Sequence, residues 1–149
     1  MKRVEQSVLV SHSAAAMFRL VDDVESYPKF LPWCGGTIIK SKSEQITEAA
    51  ISIDFHGIKQ SFTTRNAKTF PSRMDVNLVN GPFKRLAGHW CFLPLGETAC
   101  KVELVLEYEF ASKWLETIIG PVFNRIANTL VDAFVKRAEV TLDTQSGNP

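Results

Sequence analysis

Alternation dominates the middle of the chain. Ile51, Ile53 and Phe55, then Met74, Val76 and Leu78, then Val102, Leu104, Leu106, Tyr108 and Phe110 fall at every second position with other residues between them. That is the period of a strand buried on one face. Turn-forming residues divide this region into predicted strands over 37–44, 46–55, 58–70, 73–80, 83–93 and 100–110, joined at His56-Gly57, Gly81-Pro82 and Leu95-Gly96. Long strands with such short joints imply an antiparallel meander, and His56-Gly57 is its clearest hairpin. Ahead of it, Val4, Val8 and Val10 predict a first strand. A short helix through AAAMFRLVDDV follows, capped by Ser11 or Ser13, with Ala15, Phe18 and Val21 or Asp22 marking its turns.

The last strand carries Glu103, Glu107 and Glu109 opposite its apolar set, together with Lys101. Those charges read as a solvated face rather than as paired catalytic carboxylates, so the sheet is covered on one side only. Its cover is the C-terminal segment. From 112 to 142, Leu115, Ile119, Val122, Phe123, Ile126, Leu130 and Phe134 recur at spacings of three and four, while Glu116, Arg125, Asp132 and Lys136 fall elsewhere. The fold class is therefore α+β, an antiparallel sheet gripping one long helix. Gly120-Pro121 interrupts that helix; a proline there costs about 3 kcal/mol unless the helix bends or restarts, so a kink is expected. It would either follow a twisted sheet or shape a pocket mouth. The tail TQSGNP from 144 to 149 is polar and is expected to fray, leaving a single domain over 1–143.

Residues 24–36, VESYPKFLPWCGG, place Tyr27, Phe30, Leu31 and Trp33 in a segment that Pro28 and Pro32 keep from being an ordinary helix or strand. Large rings in a loop need cover. They either close the mouth of a pocket between sheet and helix or plug the sheet end as core. A pocket would be lined by Ile53, Phe55, Val76, Leu78, Leu104, Leu106, Phe123 and Leu130, with Tyr27, Phe30 and Trp33 at its mouth and Trp90 and Tyr108 in its aromatic wall.

With 149 residues, 45% of them hydrophobic, the chain can bury a sizeable core in one domain. A net charge of +1 predicts neither a polyanion binder nor an acidic disordered protein. The distribution is less even: between His56 and Lys101 seven basic residues face two acidic ones, giving +5 there and −4 elsewhere. Either this is a solvated outer sheet face, or Lys59, Arg65, Lys68, Arg73, Lys84 and Arg85 form an anion-binding surface. Cys34, Cys91 and Cys100 have neither the number nor the spacing of a disulfide framework or zinc site, which fits a reducing cytoplasm. Glu5, Gln6 and Ser7 stand where the apolar region of a signal peptide would be, and no charge-free apolar run approaches a membrane span. No nucleophile, metal or phosphate-loop motif occurs, so neither catalysis nor a metal is expected. His89 with Arg85, four residues away on one strand face, either polarises a ligand carbonyl or meets only water.

Three stretches, VDDVESYPKFLPWCGG, GPFKRLAGHWCFLPL and WLETIIGPVFNRIANTLVDAFVKRAE, closely resemble the coenzyme Q-binding and RatA-type ribosome association toxin family over residues 2–142. The resemblance implies the helix-grip fold of START-like and polyketide-cyclase-like domains, with a curved antiparallel sheet around a long C-terminal helix and an apolar cavity. It also implies one of two functions. The first is binding of ubiquinone or a related polyprenyl lipid in support of respiration, with transient contact at a membrane surface. Each buried isoprene unit then contributes roughly 3 to 4 kcal/mol before ordering costs. The second is a bacterial toxin that binds the large ribosomal subunit and blocks subunit joining, which calls on the basic residues above. A cyclase or dehydratase follows from fold analogy alone.

Overall fold

The computed structural model describes residues 1–146. Seven strands form one antiparallel sheet in the order β1-β7-β6-β5-β4-β3-β2. They are β1 (Lys2–Val10), β2 (Cys34–Lys42), β3 (Ile46–Phe55), β4 (Ile58–Thr69), β5 (Arg73–Asn80), β6 (Phe83–Pro94) and β7 (Cys100–Phe110). Strands β2 to β7 are the expected meander, and β1 closes it by pairing with β7 from Lys2↔Tyr108 to Val10↔Cys100. Helix α1 (Ala14–Asp22) and a 3₁₀ segment (Val24–Lys29) lie between β1 and β2, and α2 (Lys113–Ser146) follows β7.

Burial along β7 alternates at every residue, with Cys100, Val102, Leu104, Leu106, Tyr108 and Phe110 buried and their neighbours half-buried. The expected period is therefore the observed one. On the outer face Glu107 pairs with Arg3, Glu109 with Lys84 and Glu103 with Lys101. His56 and Gly57 both take positive φ, 51° and 81°, as a two-residue hairpin turn matched to strand twist requires. At Gly88 a Cβ would stand 2.1 Å from the Val105 carbonyl oxygen, so only glycine lets β6 approach β7 there.

Several expectations change in detail. Ser13, not Ser11, caps α1, its Oγ accepting from the Ala16 amide at 3.1 Å. The buried face of α1 is Ala14, Met17, Phe18 and Val21, and Ala15 is off it. Strand β2 starts at Cys34, inside the segment read as loop, because the Asp54 amide donates to the Trp33 carbonyl and draws the chain onto β3. The 3₁₀ geometry accommodates Pro28, whose missing N–H would break a longer helix. Helix α2 runs through Gly120-Pro121 as one element, so the chain does not restart there. Its buried stripe is Ile119, Phe123, Ile126, Ala127, Val131, Phe134 and Ala138, with Leu115, Val122 and Leu130 at its margin. Trp114, on the first turn of α2, is 70% exposed. The helix extends to Ser146, past the expected start of the tail, and 147–149 lie outside the described residues.

Candidate functional site: an inner cavity and an outer cleft

Two aromatic knots fix α2 to the sheet. Phe123 meets Phe62, Phe83, Tyr108 and Phe110 with ring centroids 4.7 to 6.1 Å apart. Phe134 meets Tyr27, Phe30 and Trp90 at 5.2 to 5.4 Å. About 16 Å of helix separates the two rings, and in that interval α2 presents Ile126, Ala127 and Leu130 to the sheet. Ala127 is buried there, and together with residues of the sheet these side chains line a cavity of about 90 Å³.

Most of that cavity is apolar or aromatic, and its exceptions lie on β4. Thr64 donates to Asn66 Oδ1 at 3.1 Å, and both residues are buried in the wall. A buried amide whose oxygen is engaged this way still has its NH₂ to offer an acceptor. Tyr27 donates its hydroxyl to the Val21 carbonyl. Burial, reinforced by Asp22, Asp23 and Cys34, raises its pKa far above the ordinary tyrosine value. Among the described residues no carboxylate, histidine, cysteine, lysine or arginine lines this cavity.

A second space of about 470 Å³ opens outside it, between α2 and the 30–33 segment. Phe30, Trp33 and Phe55 supply aromatic surface, and α2 contributes Arg125, Asp132, Lys136 and Arg137. The Arg125 guanidinium lies 5.9 Å from the Phe55 ring centroid, and that of Arg137 5.2 Å from Phe30. Lys136 pairs with Asp132 at 3.1 Å, one helical turn away. Trp33 and Ile126 line both spaces and so form the partition between cavity and cleft. Trp33 is only 8% exposed, so the partition is also packed core.

The expected site residues divide accordingly. Tyr27, Trp33, Val76, Trp90, Leu104, Leu106, Phe123 and Leu130 line the inner cavity. Phe30 and Phe55 stand in the outer cleft instead, on the far side of the partition. Ile53, Leu78 and Tyr108 line neither space: Ile53 and Tyr108 are fully buried, the latter bonded to Asn124, and Leu78 packs beside Gly81. Thr64 and Asn66 were missed because a polar residue on the inner face of a strand looks, in sequence, like a slip of the alternation. Arg125 and Arg137 were missed because a charge off the apolar stripe of a helix looks like ordinary solvated surface.

Most of the basic residues of the central window are held by carboxylates. Lys68 is 3% exposed in its side chain, with Nζ 3.1 Å from Asp22 Oδ2, so it is a buried clasp between β4 and α1. Thr47 donates to the same carboxylate at 3.1 Å. Arg65 pairs with Glu48 at 2.9 Å, Arg73 with Asp75 at 2.9 Å and Lys84 with Glu109 at 3.9 Å. Only Lys59 and Arg85 of the six lack a carboxylate partner among the described residues. The positive window is thus largely neutralised by acids from outside it. Neither Arg85 nor His89 lines the cavity or the cleft. Burial raises the thiol pKa of Cys34 and Cys100, which disfavours the thiolate form. Among the described residues no group of three or more His, Cys, Asp or Glu is placed to hold a metal ion, and no helix is long and apolar enough to cross a membrane.

The description "Polyketide cyclase / dehydrase and lipid transport" matches residues 10–135. The chain belongs to that family. Within it, the chain is 48% identical over 139 residues to the ribosome association toxin RatA of Vibrio cholerae, covering 93% of this chain and 96% of that one. It is 44% identical to the protein of the same name from Escherichia coli K12, covering 93% and 88%. The mitochondrial coenzyme Q-binding protein coq10 of Schizosaccharomyces pombe is 25% identical, with 95% and 90% covered. Among solved structures, the 18 kDa protein CC1736 of Caulobacter crescentus is 32% identical with a TM-score of 0.69, covering 93% and 97%. A START superfamily protein of Mycobacterium smegmatis, at 20% identity, has a TM-score of 0.76 and covers 92% and 97%. The Zhui aromatase/cyclase of Streptomyces sp. R1128, at 16% identity, also has a TM-score of 0.76, covering 93% and 93%. The fold is therefore the helix-grip fold that the resemblance implied, with the sheet and long helix that the periodicity predicted, and the same fold occurs in an aromatase/cyclase.

Proposed function

We propose that this protein associates with the ribosome and acts as a ribosome association toxin, binding the large subunit and opposing subunit joining. The observation that carries this reading is the 44% and 48% identity, spread over 93% of the chain, to proteins of that name, against 25% for the coenzyme Q-binding relative. The cavity supports the same order. At about 90 Å³ it is smaller than the ~150 Å³ that admits benzene. A quinone ring therefore fits only if side chains of the wall move. Sucrose-gradient sedimentation tests the proposal. Purified protein added to separated subunits is expected to travel with the large subunit and to reduce the 70S peak. An unchanged 70S peak, with the protein left at the top of the gradient, overturns it.

A second reading, binding of an apolar carbonyl compound such as a prenylated quinone, is favoured by the Thr64–Asn66 pair, which leaves an amide donor in an otherwise apolar wall. A short-tailed ubiquinone analogue would be followed by quenching of tryptophan fluorescence. Binding that Asn66→Leu weakens about tenfold supports this reading, at the ~1.4 kcal/mol expected for one lost buried hydrogen bond. Saturation that never develops removes it. Both readings are of binding, for which the cavity offers apolar surface and the Thr64–Asn66 pair.

A further inference from the structure

We infer that the outer cleft binds an unpaired nucleotide of RNA, with a base against the Phe55 and Phe30 rings and its phosphates against Arg125 and Arg137. The inference rests on the ribosome reading for the source of that RNA. Its physical basis is a contrast in pairing. The cations of the outer sheet face are mostly held by carboxylates, and an ion pair has little left to offer a phosphate. In the cleft, Arg125 and Arg137 have no carboxylate partner among the described residues and rest on aromatic faces. Arg137 Nε is in addition buried with no hydrogen-bond partner among the described residues. With Lys136 offset by Asp132, the cleft wall keeps a charge of +2 from the two arginines.

Size and shape favour a splayed base over other anions. A space of about 470 Å³ falls within the ~300 to 1,000 Å³ of small-molecule sites. Arginine beside aromatic rings is the pairing by which unstacked bases are held, independent of sequence. A duplex keeps its bases stacked and cannot reach the rings. A flat anionic bilayer would not reach them either, because Phe30 and Phe55 are half-buried and Trp33 is buried below the rim.

The test uses the full chain with three probes: a mixed-sequence single-stranded RNA 10-mer, the same sequence as a blunt duplex, and vesicles of phosphatidylcholine with phosphatidylserine. Wild type is compared with Arg125→Glu/Arg137→Glu and with the outer-face control Arg65→Glu/Lys84→Glu, each checked by circular dichroism. Arg125→Gln/Arg137→Gln stands in should reversal disturb the fold. We expect the single strand to bind at least tenfold tighter than the duplex, and the cleft variant to lose at least tenfold. The slope of log K against log salt should fall by about 1.4 for two phosphate contacts. The control should stay within twofold, and Phe55→Ala should lose about tenfold through stacking. Equal binding of duplex and single strand, equal loss in the control, or charge-dependent binding to vesicles alone each overturns the cleft assignment. Co-sedimentation separates the two levels. Wild type that fails to travel with large subunits sinks the ribosome reading, whereas wild type and cleft variant travelling equally well sink the cleft alone.

Discussion

On the outer face of the sheet, Arg3, Arg65, Arg73, Lys84 and Lys101 each sit against a carboxylate, whereas in the cleft Arg125 and Arg137 sit against phenylalanine rings. Both regions carry arginine, and counting along the chain favours the first. The sheet places Glu48, Glu107 and Glu109 beside cations distant in sequence, and Asp22 of α1 closes on Lys68. Charge density in sequence therefore says little about where a protein meets an anion. What matters is which cations the fold leaves without a counter-charge.

The largest effect expected from that contrast lies at the partition. Trp33→Ala removes a buried ring shared by cavity and cleft and should cost about 3 to 5 kcal/mol, read as a lower denaturant midpoint. Leu93→Ala on the outer face, at 55% exposure, should stay within about 0.5 kcal/mol. Equal effects would mean that Trp33 is a loose surface ring and that the cleft has no packed floor. Next in size is the clasp between α1 and β4. Asp22→Asn leaves the Lys68 ammonium buried without its counter-charge and should cost about 3 kcal/mol. A loss below 1 kcal/mol would put this pair with those on the outer face.

These sites also mark how far the sequence could be read. The strands of the meander and the helix that covers them were legible because period two and period 3.6 are local signals, repeated over ten residues or more. The cavity was legible only as a face: Val76, Leu104, Leu106, Phe123 and Leu130 were assigned to it, but so were Ile53 and Tyr108, which the fold packs solid. Nothing local distinguishes a side chain facing a void from one facing another side chain. Ala127 lines the void, and an alanine carries no sequence signal of facing one. Lys68 was misjudged for a related reason, since its partner Asp22 is 46 residues earlier in the chain.

A smaller effect, visible only at high pH, reports on the cavity wall. Tyr27 keeps its proton in the folded state well above its ordinary pKa of 10.0, chiefly because it is buried and further because Asp22 and Asp23 lie near. Above pH 10 the unfolded chain releases that proton and the folded one retains it. Stability is then fully present below pH 10 and falls by about 1.4 kcal/mol for each further pH unit until the folded tyrosine itself ionises. Tyr27→Phe should flatten this part of the stability profile relative to wild type, while lowering stability at neutral pH through the lost bond to Val21. Parallel profiles above pH 10 would show that the Tyr27 hydroxyl already meets water.

The smallest effect is expected where the charges are densest. Arg65 and Glu48 face each other across β4 and β3 at 2.9 Å, with the arginine side chain 60% exposed. A double-mutant cycle to alanine should give a coupling of about 0.2 to 1 kcal/mol, because water screens the pair and two long side chains lose freedom to form it. Raising salt from 0.05 to about 0.5 M should shrink that coupling further. The pair would nonetheless matter for function in a negative sense. Glu48→Gln frees Arg65 at almost no cost in stability, and it should add a phosphate-binding cation to a face that otherwise has few. RNA affinity that rises by up to about tenfold in Glu48→Gln, with the cleft intact, would show that pairing alone keeps the outer face silent. Unchanged affinity would mean that the cleft's rings, and not its unpaired charge, are what set it apart from the sheet.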